Sequence, residues 1–414
     1  MLRKLLCTVL AIVLLCGSCL AMDRAELRDA WREMTQARTD EYPYAEFPSL
    51  ENFTFGSLTD AAQRDALALT NFLRKLAGLA PVTLDPTYTL YAQCGALVLA
   101  ANDILSHTPE QPEGMPDAIY DSGYIGTSMG NIAKFNWMRP AILIDGVTYF
   151  ARDDGAANLD ALGHRRWLLN PAMAKTGFGL ANAASGNSYV AMYAVDMENG
   201  GVAWDYVAWP AAGAFPVEMM RAELPWSISI NPEIYDVENS SPVLIFTETA
   251  SGAAFRFDFS DGSGDGYCTL STENCGSGPC LIFRPNLSAM GIDEYVQNQI
   301  WTVELLGLRG RDGAECTIAY TCEMASVFPQ DVANVELDTL EASLAPGETL
   351  RLNAAVIPAY ADDLTITWRS DNEDVAAVDE TGLVTAVAPG KCEITAESVN
   401  GRSDICRITV EEPQ

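Results

Sequence analysis

The sequence predicts a multidomain chain in which a helix-rich region is followed by an antiparallel β domain and then by a second, smaller β-sandwich. Three observations carry this. Apolar residues recur at helical spacing between about 57 and 200, as at Leu69, Phe72, Leu73 and Leu76. From about 202 to 328 the period becomes two, with Trp226, Ile228 and Ile230 alternating with serines. From about 333 to 412 short strands recur at regular spacing. A chain of 414 residues fits two to four domains, at roughly 100–200 residues each.

Composition narrows the function. With 49% hydrophobic and 20% charged residues the chain can bury real cores. Its 25 Lys and Arg against 56 Asp and Glu give a net charge of −31, which repels nucleic acid and anionic membrane surfaces. Only two histidines are present, His107 and His164, which excludes a multi-histidine metal centre.

The first 21 residues read as an export signal. Arg3 and Lys4 precede an apolar run from Leu5 to Leu15, and Gly17, Ser18 and Ala21 supply small residues for cleavage near Ala21. Losing Arg3 and Lys4 takes the charge from −31 to −33. Secretion is the expectation, with a lipid anchor at Cys19 as the alternative. The run is too short to span a membrane, and no later segment approaches 18 apolar residues. The eight cysteines after the signal have no Cys-x2-Cys pair, so disulfides or buried thiols are expected rather than a zinc ribbon.

Residues 22–56 form an acidic, aromatic leader with one helix near Arg24–Thr35, expected to pack on the first domain. In the first domain, 57–201, Asp60 and Gln63 suggest a capping pair before the run that Gly78 stops. Asp85 caps a second helix with Pro86 at its first position, and Leu90, Cys94, Leu97 and Ala101 fall on one face. In the β domain, 202–328, Phe255, Phe257 and Phe259 alternate with Arg256 and Asp258, and Trp301, Val303 and Leu305 repeat the scheme. Residues 333–412 read as an immunoglobulin-like sandwich, with strands at Thr365–Trp368 and Cys392–Ala396 and a turn at Asn400-Gly401.

Two stretches resemble known families. Ala345-Pro-Gly-Glu-Thr, Ile366-Thr-Trp-Arg-Ser, Gly382-Leu-Val-Thr-Ala and Pro389-Gly-Lys-Cys-Glu-Ile-Thr-Ala resemble the bacterial immunoglobulin-like group 2 domain. That resemblance implies a spacer or adhesion module, with Trp368 as its core anchor. Residues 71–180 resemble the CAP (SCP) superfamily of cysteine-rich secretory, antigen and pathogenesis-related proteins. The residues that carry it are Asn71-x-x-Arg74, Leu105-Ser106-His107, Gly130-Asn131-Ile132-Ala133, Leu162-Gly163-His164-Arg165-Arg166-Trp167 and Thr176-Gly177-Phe178-Gly179. The fold implied is an α-β-α sandwich, and the β region after it resembles extensions of some bacterial members.

The resemblance implies a cavity lined by two histidines and two acids, which in some members binds a divalent metal. His107 and His164 fall on the two histidine positions. The family's glutamate position holds Gly130, and the second acid is open among Asp153, Asp154 and Asp145. His107, His164 and Asp153 are therefore the candidate site residues, as ligands to a metal such as zinc or as catalytic groups. Against this stands a purely structural role, each histidine tying helices together. Arg165 or Arg166 is expected to pair with Asp153, Asp154 or Asp160. Ser122, Ser128 or Ser185 could approach His164, although no Gly-x-Ser-x-Gly elbow supports a serine hydrolase. Asp261-Gly-Ser-Gly-Asp265-Gly266 reads as a hairpin turn before it reads as a calcium loop.

The leading expectation is an extracellular binding module that takes a lipid or sterol-like ligand, wall glycan or protein partner around His107 and His164. The alternatives are a metal-assisted hydrolase of peptide or cell-wall substrates and a surface adhesin in which the CAP fold is scaffold.

Overall fold

A computed structural model of the chain describes residues 21–412 except 37, 40, 277 and 360. The expected export signal, with Arg3, Lys4 and Cys19, lies outside the described residues but for Ala21. The chain forms two compact units, Met1–Ala325 and Ser326–Gln414. The helical region and the β region after residue 202 thus share one compact body.

Among the described residues six α-helices occupy the first unit: α1 (Arg24–Gln36), α2 (Asp60–Leu76), α3 (Pro86–Asn102), α4 (Asp117–Ser128), α5 (Ile142–Arg152) and α6 (Gly163–Leu168). The cap of α2 is Thr59, one residue before the expected Asp60; its hydroxyl accepts the Ala62 N–H at 3.2 Å. Asp85 caps α3 as its sequence suggests, accepting from the N–H groups of Thr87 and Tyr88 at 2.8 and 3.1 Å. The single buried face expected of α3 is replaced by burial on all sides from Ala92 to Ala100, while Leu90 is exposed. The cause is its central position between α4 and a sheet.

That sheet is antiparallel and three-stranded, with Ser188–Tyr193 between Gly130–Phe135 and Phe178–Asn182. On one face Ile132, Ala181, Tyr189 and Ala191 pack with the apolar residues of α3. On the other, Val190 lies against Gly146 of α5. Helices therefore cover both faces. The backbones of α3 and α4 touch: a Cβ on Gly126 would sit 1.9 Å from the Tyr91 carbonyl oxygen. The leader is a strap across the unit. Trp31 packs edge-on against Phe72 at 5.5 Å, Met22 bridges Gly213, and Arg24 pairs with Glu323.

The β region stacks a four-stranded sheet on a six-stranded one. Trp226 and Phe283 of the first meet Phe246 of the second at 4.7 and 5.4 Å. The larger sheet is mixed, because Glu315–Ala325 pairs in parallel with Gly213–Pro216, where an all-antiparallel domain is the expectation. The Phe255 and Trp301 runs alternate as expected. The Trp226–Ile230 strand is buried on both faces, since Arg165 reaches the hydroxyl of Ser227 on the serine side at 3.4 Å.

The second unit is built of short strands around Val335, Leu352, Val384, Ile394, Ala396, Cys406 and Ile408. Trp368 is only partly buried and packs at the margin of this core rather than anchoring it. Among the described residues no helix is long and apolar enough to cross a membrane.

Candidate ligand-binding site around His107 and His164

The turn from α5 to α6 is built around a buried carboxylate. Asp153 ends α5 in the left-handed conformation, φ 48°, and Leu162 enters α6 the same way at φ 47°. Such backbone costs energy in a residue with a side chain, and persists where surrounding contacts over-determine it. Here the Asp153 carboxylate, fully buried, supplies those contacts. Its Oδ1 accepts from Asn158 Nδ2 at 2.9 Å and faces His164 Nδ1 at 2.9 Å. Its Oδ2 accepts the backbone N–H of Arg165 at 3.2 Å.

This network assigns the His164 tautomer. Asn158 Nδ2 also lies 3.0 Å from Nδ1, but it donates to Asp153 Oδ1, and a carboxylate only accepts. The assignment is therefore the proton on Nδ1, with Nε2 unbonded among the described residues. The ring keeps 12% of its side-chain surface exposed and packs beside Phe150 and Tyr149, at 5.3 and 5.8 Å between centroids. His107 is built alike on a different partner. Its Nδ1 lies 2.7 Å from the carbonyl oxygen of Thr127, which again places the proton on Nδ1 and leaves Nε2 open.

The two histidines share a foundation. Thr127 also donates its hydroxyl to the His107 carbonyl at 3.3 Å. Four residues on, the Asn131 side-chain amide donates to the His164 carbonyl at 2.9 Å. The junction of α4 with the first sheet strand therefore holds one histidine at each end. Between these anchors Met129 is 43% exposed; Tyr124, one helical turn before Thr127, and Ile104 and Leu105, just ahead of His107 in the chain, are exposed too.

Gly130 lies in the same junction and is buried. A Cβ there would come within 2.3 Å of the Gly126 carbonyl oxygen and 2.9 Å of the Met192 carbonyl oxygen. The close approach of backbone fills the space that the family's glutamate would need.

These residues do not make up a three-ligand zinc site. Donation of the second ring N–H to a carbonyl or carboxylate is the outer-shell arrangement of a metal-ligating histidine, and both rings have it. Among the described residues no third donor stands with them. Asp153 is turned beneath His164 with its oxygens engaged, and Asp145 accepts from Arg139 and Trp137. Asp154 is exposed. Among the described residues no group of three or more His, Cys, Asp and Glu is disposed to hold a metal.

Other candidates resolve into structure. Instead of meeting Asp153, Asp154 or Asp160, the guanidinium of Arg165 donates to the carbonyls of Ala151, Arg152 and Pro225 at 2.6 to 2.8 Å. Burial brings it down to about 10. Arg166 reaches the carbonyls of Ala161, Glu273 and Gly278. The two arginines pin the β region onto α6, because a buried guanidinium needs several acceptors and backbone carbonyls supply them without a second charge. Ser122 and Ser128 donate to carbonyls of their own helix. Asp261 accepts from the N–H of Ser263 within a hairpin. The eight described cysteines are unpaired, six of them buried. Sequence reasoning missed Asn158, which holds the Asp153 carboxylate beneath His164, and Thr127, which holds the His107 imidazole; Asn131 stood in the Gly130-Asn131-Ile132-Ala133 stretch without an assigned role.

Comparison with known proteins matches two stretches of the chain to two families. Residues 67–194 match the cysteine-rich secretory protein family, CAP, and residues 331–406 the bacterial Ig-like domain, group 2. Among curated proteins the chain is 39% identical over 102 residues to a lacto-N-biosidase of Bifidobacterium bifidum, covering 25% of this chain and 9% of that protein. It is 49% identical over 74 residues to a 3-O-alpha-D-galactosyl-alpha-L-arabinofuranosidase of Bifidobacterium longum subsp. longum, covering 17% and 6%. The chain thus spans less than a tenth of either relative. Among solved structures it overlaps an intimin mutant of EHEC O157:H7 at 21% identity and a TM-score of 0.17, over 19% of this chain and 47% of that one; so small an overlap carries no argument. This chain carries a CAP domain followed by a bacterial Ig-like domain of group 2.

Proposed function

We propose that the protein is an extracellular binding protein whose CAP domain takes a neutral lipid or sterol-like ligand on the face between His107 and His164. One observation carries this: the segment Thr127–Asn131 holds the His107 imidazole at one end and the His164 backbone carbonyl at the other, and Met129 within it and Tyr124 one turn before it expose apolar surface. Ile104, Leu105, Tyr124 and Met129 offer apolar side chains, and the imidazoles, His107 exposed and His164 with 12% of its side-chain surface exposed, offer polar groups for a hydroxyl head. A mostly apolar wall with few placed polar groups suits such a molecule. The charge of −31 disfavours an anionic one.

The metal-assisted hydrolase has less support, because Gly130 and the inward Asp153 leave two nitrogen donors where a zinc centre uses three or four protein ligands. Titration with the neutral fluorescent sterol dehydroergosterol tests the binding reading. Saturable transfer from tryptophan to the sterol is expected, weakened roughly ten-fold by Leu105→Asp or Met129→Asp. Absence of saturation, or indifference to both substitutions, would refute it.

A further inference from the structure

A row of rings runs away from His164: Tyr149 lies 5.8 Å from it, Phe135 6.1 Å from Tyr149, and Trp137 5.0 Å from Phe135. At its end is an exposed tryptophan that is held in place. Trp137 is 48% exposed. Its carbonyl accepts from the Ser188 hydroxyl at 2.8 Å, and its indole Nε1 donates to Asp145 Oδ2 at 3.3 Å. The acceptor is itself fixed. Asp145, 13% exposed, takes Arg139 Nε at 2.6 Å and pairs with its Nη2, while Arg139 stays 58% exposed.

We propose that Trp137, Arg139 and Asp145 form a stacking subsite for a neutral saccharide. The indole has its only donor engaged, so it presents an electron-rich face and no polar demand. The C–H face of a pyranose, slightly positive, complements that face. Beside it the guanidinium offers N–H groups and the carboxylate offers lone pairs, the two functions that sugar hydroxyls require. An anionic sugar or a nucleic acid would meet the field of a chain carrying −31. A lipid surface would strip water from the Arg139–Asp145 pair without replacing its hydrogen bonds. Fixing the ring before the ligand arrives lowers the ordering cost of binding. The subsite needs neither histidine, so it stands apart from the sterol reading.

Titration of the full chain with chitotetraose and with cellotetraose, followed by tryptophan fluorescence and calorimetry, tests this. Saturable binding of at least one is expected, weakened roughly ten-fold or more by Trp137→Ala. Arg139→Met should also weaken it at an unchanged melting temperature, which separates lost recognition from lost fold. Four results would overturn the assignment: no saturation by either sugar up to about 10 mM, binding that Trp137→Ala leaves unchanged, Trp137-dependent uptake by phosphatidylcholine vesicles without sugar binding, or a dimer that Trp137→Ala disperses.

Discussion

Asp153 has a fully buried carboxylate and a left-handed backbone, and both of its oxygens are engaged by Asn158, His164 and Arg165. Its replacement by alanine leaves buried donors without an acceptor and keeps the strained backbone. A loss of about 2–4 kcal/mol follows, measurable by urea unfolding; a loss below about 0.5 kcal/mol would mean that the turn is held by other contacts. Gly130→Glu is the complementary test. A side chain at 2.3 Å from a backbone oxygen cannot be absorbed locally, so the substitution should destabilise by more than about 3 kcal/mol without gain in zinc affinity. Recovered zinc binding in a stable variant would overturn the account of Gly130. At this scale the histidines were legible because they are the only two in the chain. Asp153 was legible only as one of three acids, since spacing along the chain does not reveal which carboxylate a left-handed turn folds inward. The arginine partners were misread for a related reason: sequence shows which charges exist, while carbonyls freed at helix ends and strand edges appear only in the fold.

The first three helices lie where sequence signals place them, with shifts of a residue at their ends; α4, α5 and α6 lack side-chain caps and were not read from the sequence. Asp85 and Pro86 start α3 as read. The Thr59 cap replaced Asp60 because both residue types can cap, and the choice depends on which one lies outside the first turn. Burial of α3 on every side could not be read from its periodicity, because the contact with α4 depends on glycines that pattern analysis treats as breaks. The far end of α3 carries a pH-dependent contact. Asp103 accepts from Asn187 at 2.8 Å and from Tyr189 at 2.9 Å, with Lys134 nearby, and these hydrogen bonds hold its carboxyl down at about 2. A carboxyl lowered by folding stabilises the folded chain above its unfolded value, about 3.9, and that stabilisation is lost as pH falls through about 2. Melting temperatures of the wild type and Asp103→Asn should therefore differ most above pH 4 and converge toward pH 2. A constant gap would remove Asp103 as the cause.

Over the whole molecule, the order of a helical region, a β region and a smaller β unit was legible from the change in period. The joining of the first two into one compact body was not, because Arg24, Arg165 and Arg166 make that joint through side chains far apart in sequence. Ser326–Gln414 has its own core and should fold alone, with a urea midpoint close to that of the same unit in the full chain. Failure of the isolated unit to fold would show that its core is incomplete. The claim on which the function rests is that His107 and His164 flank one ligand-taking face. With two histidines in the chain, an imidazole-labelled sample gives a two-residue NMR spectrum. Addition of dehydroergosterol should shift both sets of ring signals along one saturation curve. Movement of one histidine alone, or of neither, would contradict the shared site.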